Sequence, residues 1–440
     1  MAPQPLPTWR AAKSRDLSVT DIINAWSVPK NNSNTKQSIS RRVCQLLTTQ
    51  QRLRVAIMLK ISSPLDIAGI NFSKRIFLRK KNPVTCPKDL RPISIQNAFI
   101  SIYEKALANK LRAHLVRRNL IPPGFHGYVK ERSVHTAIGQ VHQFCQENSG
   151  SLTVAVFLDF SAAFDRISIP FVLSALRSLW VSERIINRIE ILLYTKRFFY
   201  DDDPEAKQFY PITGVPQGSP LSPILFLIAT IVLFKPLYRK NRLVVYADDT
   251  TALFSGHRCK DVVLKIGAFF KSLLSLLPSS NLVLNPLKTQ LLVFGGCPPT
   301  RKKLKRLAYA ELSSIFVQSP IPSFQCRVKY LGFTISVNWA VGFDLNKFKR
   351  CLKRARWALK RAQRLSLSGT VQARLWCTWA ISGLVFFSRG RPPDQRLKFQ
   401  QLLMLRLPAI VRRYWALKEV KVPNWLRIRL SHWLNGERGI

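Results

Sequence analysis

Apolar and small residues fill 152–158, and Asp159 and Phe160 follow directly. That pattern predicts a strand buried on both faces with a carboxylate at its end. Residues 243–254 read as two apolar half-strands around Asp248-Asp249, a hairpin with acid at its tip. Residues 171–194 carry the spacing of an amphipathic helix. Residues 220–237 are mostly apolar and open with prolines, which the first turn of a helix tolerates. A further helix is predicted over 262–277, and further strands over 291–294 and 328–335. Near the start, 38–61 is basic and partly amphipathic and reads as a helix. The Asn-rich 30–36 reads as a loop. Strands and helices interleaved in this irregular order predict an α+β sheet covered on one face. Beyond about 340 the pattern becomes helical and basic.

Charge changes the picture more than composition does. The 440 residues hold 69 Lys and Arg against 23 Asp and Glu, a net +46. Like charges at that density oppose compaction unless a polyanion offsets them. Nucleic acid is the partner this implies, since neutralised phosphates release counterions. Residues 345–440 carry 22 of the bases against three acids, a net +19, with tryptophans interleaved. This predicts a helical core displaying a basic face. With 47% apolar residues the chain can bury a core, so a wholly disordered basic tail is excluded. The eight cysteines are scattered without metal-type C-x-x-C spacing, which suits reduced, intracellular thiols. The N-terminus has no apolar signal core. The longest strong apolar run, 224–234, is too short to span a bilayer, so no membrane partner is expected.

In so basic a chain, acids at the ends of apolar strands stand out. Asp159 closes the first such strand and Asp248-Asp249 sit at the hairpin tip 89 residues later. Each segment alone fits a simple turn cap about equally well. Together they point to cation binding: adjacent carboxylates repel unless a cation lies between them, and Mg²⁺ takes hard oxygen ligands shared with phosphates. Tyr200-Asp201-Asp202-Asp203 is a competing cluster, but Pro204 follows it and predicts a solvated turn. His135, His142 and Cys145 share a helical face, yet Val134, Ile138 and Val141 around them predict a packed helix rather than a metal site.

Three blocks carry a resemblance, in order and in spacing. They are Leu158-Asp159-Phe160-Ser161-Ala162-Ala163-Phe164-Asp165, then Gly214-Val215-Pro216-Gln217-Gly218-Ser219 with Leu221-Ser222-Pro223, then Tyr246-Ala247-Asp248-Asp249. Asp89-Leu90-Arg91-Pro92-Ile93-Ser94, Leu284-Asn285-Pro286-Leu287-Lys288-Thr289 and Val328-Lys329-Tyr330-Leu331-Gly332-Phe333 extend it, and Gly127-Tyr128 to Ile138 matches more loosely. The chain resembles the reverse transcriptases of non-LTR (LINE-type, Jockey-like) retrotransposons over about three fifths of its length.

The resemblance implies an α+β right-hand polymerase with fingers, an antiparallel-sheet palm and a basic helical thumb. Residues 1–70 would be an N-terminal extension, 71–336 fingers and palm, and 337–440 the thumb. It implies RNA-directed DNA synthesis from an RNA template, a DNA primer and dNTPs with two Mg²⁺, Mn²⁺ being the alternative. Asp159, Asp248 and Asp249 would be the metal-binding acids, with the Phe160 carbonyl as a further ligand. Phe164 would stand under the sugar and exclude a 2′-hydroxyl, though a core aromatic fits the same residue. Gln217 and Gly218 would line the nucleotide and template. Lys80 and Arg91 would grip the triphosphate, with Arg79 and Lys81 as neighbouring candidates for the lysine's role. Lys288 would meet the leaving pyrophosphate, a surface lysine being the equal alternative. Tyr330-Leu331-Gly332 would hold the primer end.

Two other readings share the palm or its surface: a group II intron-type maturase, and a domesticated RNA-binding copy. The Arg-Pro-Ile-Ser block follows the LINE style, and intact Asp159, Asp248, Asp249 and Gln217 argue against decay. No endonuclease pattern is read in this chain, so a separate endonuclease domain or nicking activity is expected. Leu227-Ile228 stands where the family often has asparagine. Arg301, Lys302, Lys303, Lys305 and Arg306 form a basic cluster suited to nuclear localisation or to nucleic-acid contact, and a nuclear place of action is expected.

Overall fold

A computed structural model of the chain describes residues 16–26, 41–80, 82–199, 209–337 and 341–342, with a few isolated positions beyond. The basic segment expected to form the thumb lies almost wholly outside the described residues, as does Tyr200 to Pro204. The elements begin with four short helices, α1 (Val19–Ala25), α2 (Arg41–Leu46), α3 (Thr49–Ile61) and α4 (Pro64–Ile70). Strands β1 (Phe72–Arg79) and β2 (Leu90–Gln96) precede α5 (Ala98–Arg117) and α6 (Val134–Glu147). Next come β3 (Leu152–Leu158), α7 (Ala163–Arg166), α8 (Ile169–Ser178), α9 (Glu183–Tyr194) and β4 (Arg197–Phe199). Helices α10 (Ser222–Leu233) and α11 (Lys235–Tyr238) lead to β5 (Arg242–Tyr246) and β6 (Asp249–Gly256). Then follow α12 (Cys259–Ser280), β7 (Gln290–Phe294), α13 (Pro298–Ile315), β8 (Ser323–Gln325), β9 (Arg327–Tyr330), β10 (Phe333–Ser336) and the two-residue β11 (Val341–Gly342).

Local chemistry explains many boundaries. Ser18 with Asp21, Thr48 with Gln51 and Ser63 with Asp66 form reciprocal capping boxes that start α1, α3 and α4. The expected helix over 38–61 is therefore two helices, because Thr48 caps a new start. The expected helix over 171–194 is also two. Trp180 takes a left-handed conformation (φ +57°), which a helix of L-residues cannot continue through, and α9 begins after Ser182. Pro236 divides the predicted 220–237 helix into α10 and α11.

The chain forms two compact units that interleave along the sequence. The first takes in residues 1–128, 158–250 and 268–285. Here β1 pairs antiparallel with β2, Ile76 facing Ile93 and Leu78 facing Arg91, and β1 pairs parallel with β4. Helix α5 packs against α1, and α8 packs against α9 and α10. The N-terminal helix is tied down by charge: Lys110 meets Asp21 at 2.7 Å, and Arg188 meets Asp16 at 3.3 Å.

The second unit takes in residues 129–157, 251–267 and 286 onward. In it β6, β3, β7 and β8 lie side by side in that order. Thr153 faces Phe294 and Phe157 faces Gln290 across the antiparallel β3–β7 ladder. All seven residues of β3 are buried, as the unbroken apolar run requires. The strand expected over 328–335 is a hairpin of β9 and β10, turned at Leu331-Gly332 with both residues at positive φ. On α6, Ala137, Ile138 and Val141 are buried and His135 packs edge-on to Phe333.

One helix among the described residues, α12, is long and apolar enough to cross a membrane, which exceeds the 224–234 run that the sequence pattern singles out. Val262, Ile266, Phe270, Leu273 and Leu277 on it are buried within the protein.

Candidate active site

The motif residues that resemble a polymerase centre fall almost entirely in the first unit. Asp159 follows the last residue of β3. Its carbonyl accepts the Asn285 N–H at 2.8 Å, and the Ser161 N–H donates to the Val283 carbonyl at 2.9 Å. Phe160 thus faces Leu284 as a non-hydrogen-bonded antiparallel pair. In such a pair the residue's own C=O points away from the partner segment, so the Phe160 carbonyl takes no part in this ladder. The Phe160 ring is buried and stacks on Phe234 at 6.0 Å.

The second and third carboxylates sit at the turn between β5 and β6. Ala247 holds a left-handed φ of +57° there, an uncommon conformation for a residue with a Cβ. On its other side, β5 is braced by the 124–128 segment. The Val245 N–H donates to the Gly124 carbonyl at 2.8 Å, and the His126 N–H donates back to Val245 at 2.7 Å. A Cβ on Gly127 would collide with the Ala247 nitrogen, so glycine is what lets this segment approach the acidic turn. Asp249 reaches solvent, yet its carboxyl is pushed up to about 6 by its partial removal from water and by repulsion from Asp248 and Asp159. The three acids share one electrostatic neighbourhood.

The Gln217 loop is laid against α7. The Val215 N–H donates to the Phe164 carbonyl at 2.7 Å, and Gln217 Nε2 donates to Asp165 Oδ2 at 2.7 Å. The Ser94 N–H of β2 donates to the Gln217 carbonyl at 2.7 Å. Gly218 holds φ +108°, and a Cβ there would strike the Ser94 carbonyl oxygen. Only glycine allows the loop to lie this close to the strand. Phe164 is half-buried, stacked on Phe226 at 4.3 Å and 14°, with Tyr128 edge-on at 6.3 Å and 87°.

Lys80 and Arg91 fall on one face of the β1–β2 hairpin. Arg91 is opposite Leu78, and the Lys80 N–H reaches the Asp89 carbonyl at 2.7 Å, so alternation puts both cations on the Leu78 side and Arg79 on the other. Burial raises the Asp165 carboxyl above its ordinary range. Arg75, the Gln217 hydrogen bond, Lys80 and Arg91 act against that rise, in that order. Asp165 therefore marks where the hairpin's cations converge beside the Gln217 loop. Lys288 belongs to the second unit, where it is an exposed residue of the turn leading into β7.

Sequence reasoning did not single out four contributors. Arg75 offers no motif. Tyr128 belongs to the loosely matched block, and burial with the nearby Asp248 and Tyr246 pushes its hydroxyl up to about 12. Glu104 and Lys196 form a buried ion pair at 3.1 Å, with side chains 4% and 1% exposed. Glu104 also accepts two bonds from Gln96 Nε2 (2.8 and 2.9 Å) and one from the Ser219 hydroxyl, while Lys196 donates to Asn71 at 2.9 Å. Ser219 directly follows Gly218, so this network anchors the loop from below.

Among the described residues no three acid, histidine or cysteine side chains close into a tight metal cage. That is compatible with Mg²⁺, which one or two carboxylates hold together with substrate phosphates and waters. The donor set fits: hard oxygens only, mutually repelling, with the Phe160 carbonyl left out of the neighbouring ladder.

Residues 78–335 match the family described as reverse transcriptase (RNA-dependent DNA polymerase). The chain is 28% identical over 319 residues to the probable RNA-directed DNA polymerase from transposon BS of Drosophila melanogaster, covering 68% of this chain and 33% of that one. It is 26% identical over 172 residues to the RNA-directed DNA polymerase from mobile element jockey of the same organism, covering 37% and 19%. It thus spans a third or less of the length of these relatives. Among solved structures, apo telomerase from Candida tropicalis aligns over 83% of this chain and 62% of its own, with a TM-score of 0.51 at 13% identity. That likeness establishes the fold, the right-hand polymerase fold that the sequence resemblance implies. The chain belongs to the reverse transcriptase (RNA-dependent DNA polymerase) family.

Proposed function

We propose that the chain is the RNA-directed DNA polymerase of a non-LTR retrotransposon, extending a DNA primer on an RNA template with dNTPs. The observation that carries this reading is the gathering of Asp159, at the end of β3, with Asp248 and Asp249, at the β5–β6 turn, in a chain of net charge +46. Carboxylates gathered at one strand end and one turn, in a chain so rich in bases, suit the binding of external cations.

Asp159 and Asp248 would hold two Mg²⁺, or Mn²⁺, with the Phe160 carbonyl beside them and Asp249 as a less direct neighbour. When bound, such ions activate the primer 3′-hydroxyl and neutralise the departing pyrophosphate. The protein's own groups do the positioning. Lys80 and Arg91 grip the triphosphate, the arginine through its planar fork. Gln217 and Gly218 present a flat, close backbone to the templated base. Phe164 fills the space a 2′-hydroxyl would need. Lys288 meets the pyrophosphate, and Tyr330-Leu331-Gly332 supports the primer end. A separate endonuclease or nick supplies the primer, and the nucleus is the place of action.

The test is primer extension on a primed RNA template with dNTPs and Mg²⁺. Asp159→Ala and Asp248→Ala should each lower the rate at least about 10³-fold, the several kcal/mol that metal-ion catalysis supplies. RNA binding with no extension by the unmodified chain would replace this reading with that of a domesticated RNA binder.

A further inference from the structure

Helix α13 lies in the second unit, and none of its residues has been given a role above. Its core stripe is Leu304, Ala308 and Leu312, all buried at a spacing of four. At 100° per residue, Lys302, Lys303 and Arg306 fall on the opposite side, and all three are exposed. Tyr309, one turn on, is 61% exposed on the same side. The other two bases of the cluster are already used: Arg301 Nε donates to the Gly295 carbonyl at 2.8 Å, and Lys305 lies over the Phe324 ring at 6.0 Å. The cluster thus divides into two structural cations and three outward ones.

The outward cations have no ion-pair partner among the described residues. There is no acid between Pro298 and Ala310, and Glu311 is turned against Gly267 of α12. A solvated surface helix usually mixes both signs; this one presents a single sign with an aromatic ring beside it. Lys302 and Arg306 are four residues apart, about 6 Å along the axis, a separation on the scale of successive phosphates. Exposed aromatics beside a basic track are the device by which single strands are held, since every base has a face to stack.

We propose that Lys302, Lys303, Arg306 and Tyr309 form a binding ridge for single-stranded RNA, the three cations taking backbone phosphates and Tyr309 a base. None of these four residues is among those assigned to the polymerase centre. Its test is read as binding without nucleotides, so an inactive polymerase would leave the outcome intact.

The experiment uses the full chain and a fluorescently labelled single-stranded RNA of about 30 nucleotides, titrated at several salt concentrations. Each phosphate contact to a single strand contributes about 0.7 to the slope of log affinity against log salt. Lys302→Gln/Lys303→Gln/Arg306→Gln should therefore flatten the slope by about 2. Tyr309→Ala should weaken binding at least about fivefold with the slope unchanged. Both variants should melt as the parent does, because the substituted side chains lie on the solvent face. An unchanged slope and affinity would overturn the proposal. If nuclear import of a fusion fell while RNA binding stayed intact, the ridge would belong to an import receptor instead.

Discussion

Two acidic centres in the first unit are treated in opposite ways. At Glu104 the carboxylate is buried and fully met, by Lys196, by both Gln96 bonds and by the Ser219 hydroxyl. At the β5–β6 turn, Asp248 and Asp249 reach solvent, and the Asp249 carboxyl is pushed up by repulsion from Asp248 and Asp159. The first arrangement completes itself and so can only position. The second keeps like charges together at the solvent edge, which is the ground on which we propose that it takes cations. An acid's pairing, more than its presence, separates a structural centre from a chemical one.

The largest effect is expected where the complete centre is made incomplete. Glu104→Ala strands the Lys196 ammonium in the core, which should cost about 3–5 kcal/mol. The measurement is denaturant unfolding of the first unit's transition. Glu104→Met with Lys196→Met should recover most of that loss, since an apolar pair of similar size is tolerated. The double variant sharpens the comparison further. If the pair anchors the Gln217 loop, the recovered protein should still show a raised KM for dNTPs with kcat less changed. An unaltered KM would make the centre a stability feature alone.

The sequence made one of these centres legible and hid the other, for physical reasons. Asp159 and Asp248-Asp249 end apolar strands, so polarity contrast exposes them without any structure. The β3 strand and the β5–β6 hairpin were readable on the same ground, lying within a residue or two of their expected positions. Glu104 sits in α5, a 20-residue helix that the hydrophobic pattern did not announce. Its buried side includes Ser101, Glu104 and His114, so polar residues interrupt the stripe that a period-3.6 search relies on. The apparent single helix over 171–194 failed for the opposite reason. The apolar spacing carries on across the break at Trp180 because α8 and α9 both bury apolar faces in the same unit. Lys80 has bases on both sides in the sequence, and strand register puts one of them, Arg79, on the other face. Tyr128 became visible only through contact, edge-on to Phe164 and beside Asp248.

A smaller effect tests whether the residue packed beside the second centre serves chemistry or packing. Phe164 has one ring face against Phe226 and Tyr128 at its edge, and it remains half-exposed. A core aromatic would be covered. Phe164→Val should raise incorporation of ribonucleotides relative to deoxyribonucleotides by about tenfold or more, the range that changed pocket bulk gives. The ratio of kcat/KM for paired nucleotides measures it. A variant that loses stability yet keeps its sugar preference would assign Phe164 to the core.

The smallest effect is the most direct probe of the repelling charge. Asp249 in the folded chain titrates at about 6, against an ordinary value of 3.8. An acid whose value is raised on folding costs stability wherever it must be ionised. The cost is absent below about pH 4, grows between 4 and 6, and is fully present above 6. Because the side chain reaches solvent, screening holds this cost to about 1 kcal/mol. Asp249→Asn cannot ionise, so in metal-free buffer at pH 7.5 it should melt about 2 °C higher than the parent. At pH 4 the two should coincide. Added Mg²⁺ should raise the parent's melting temperature more than the variant's, because only the parent has the full charge to neutralise. A variant that melts lower than the parent at pH 7.5 would mean the fold itself satisfies Asp249, and the contrast between the two acidic centres would fail.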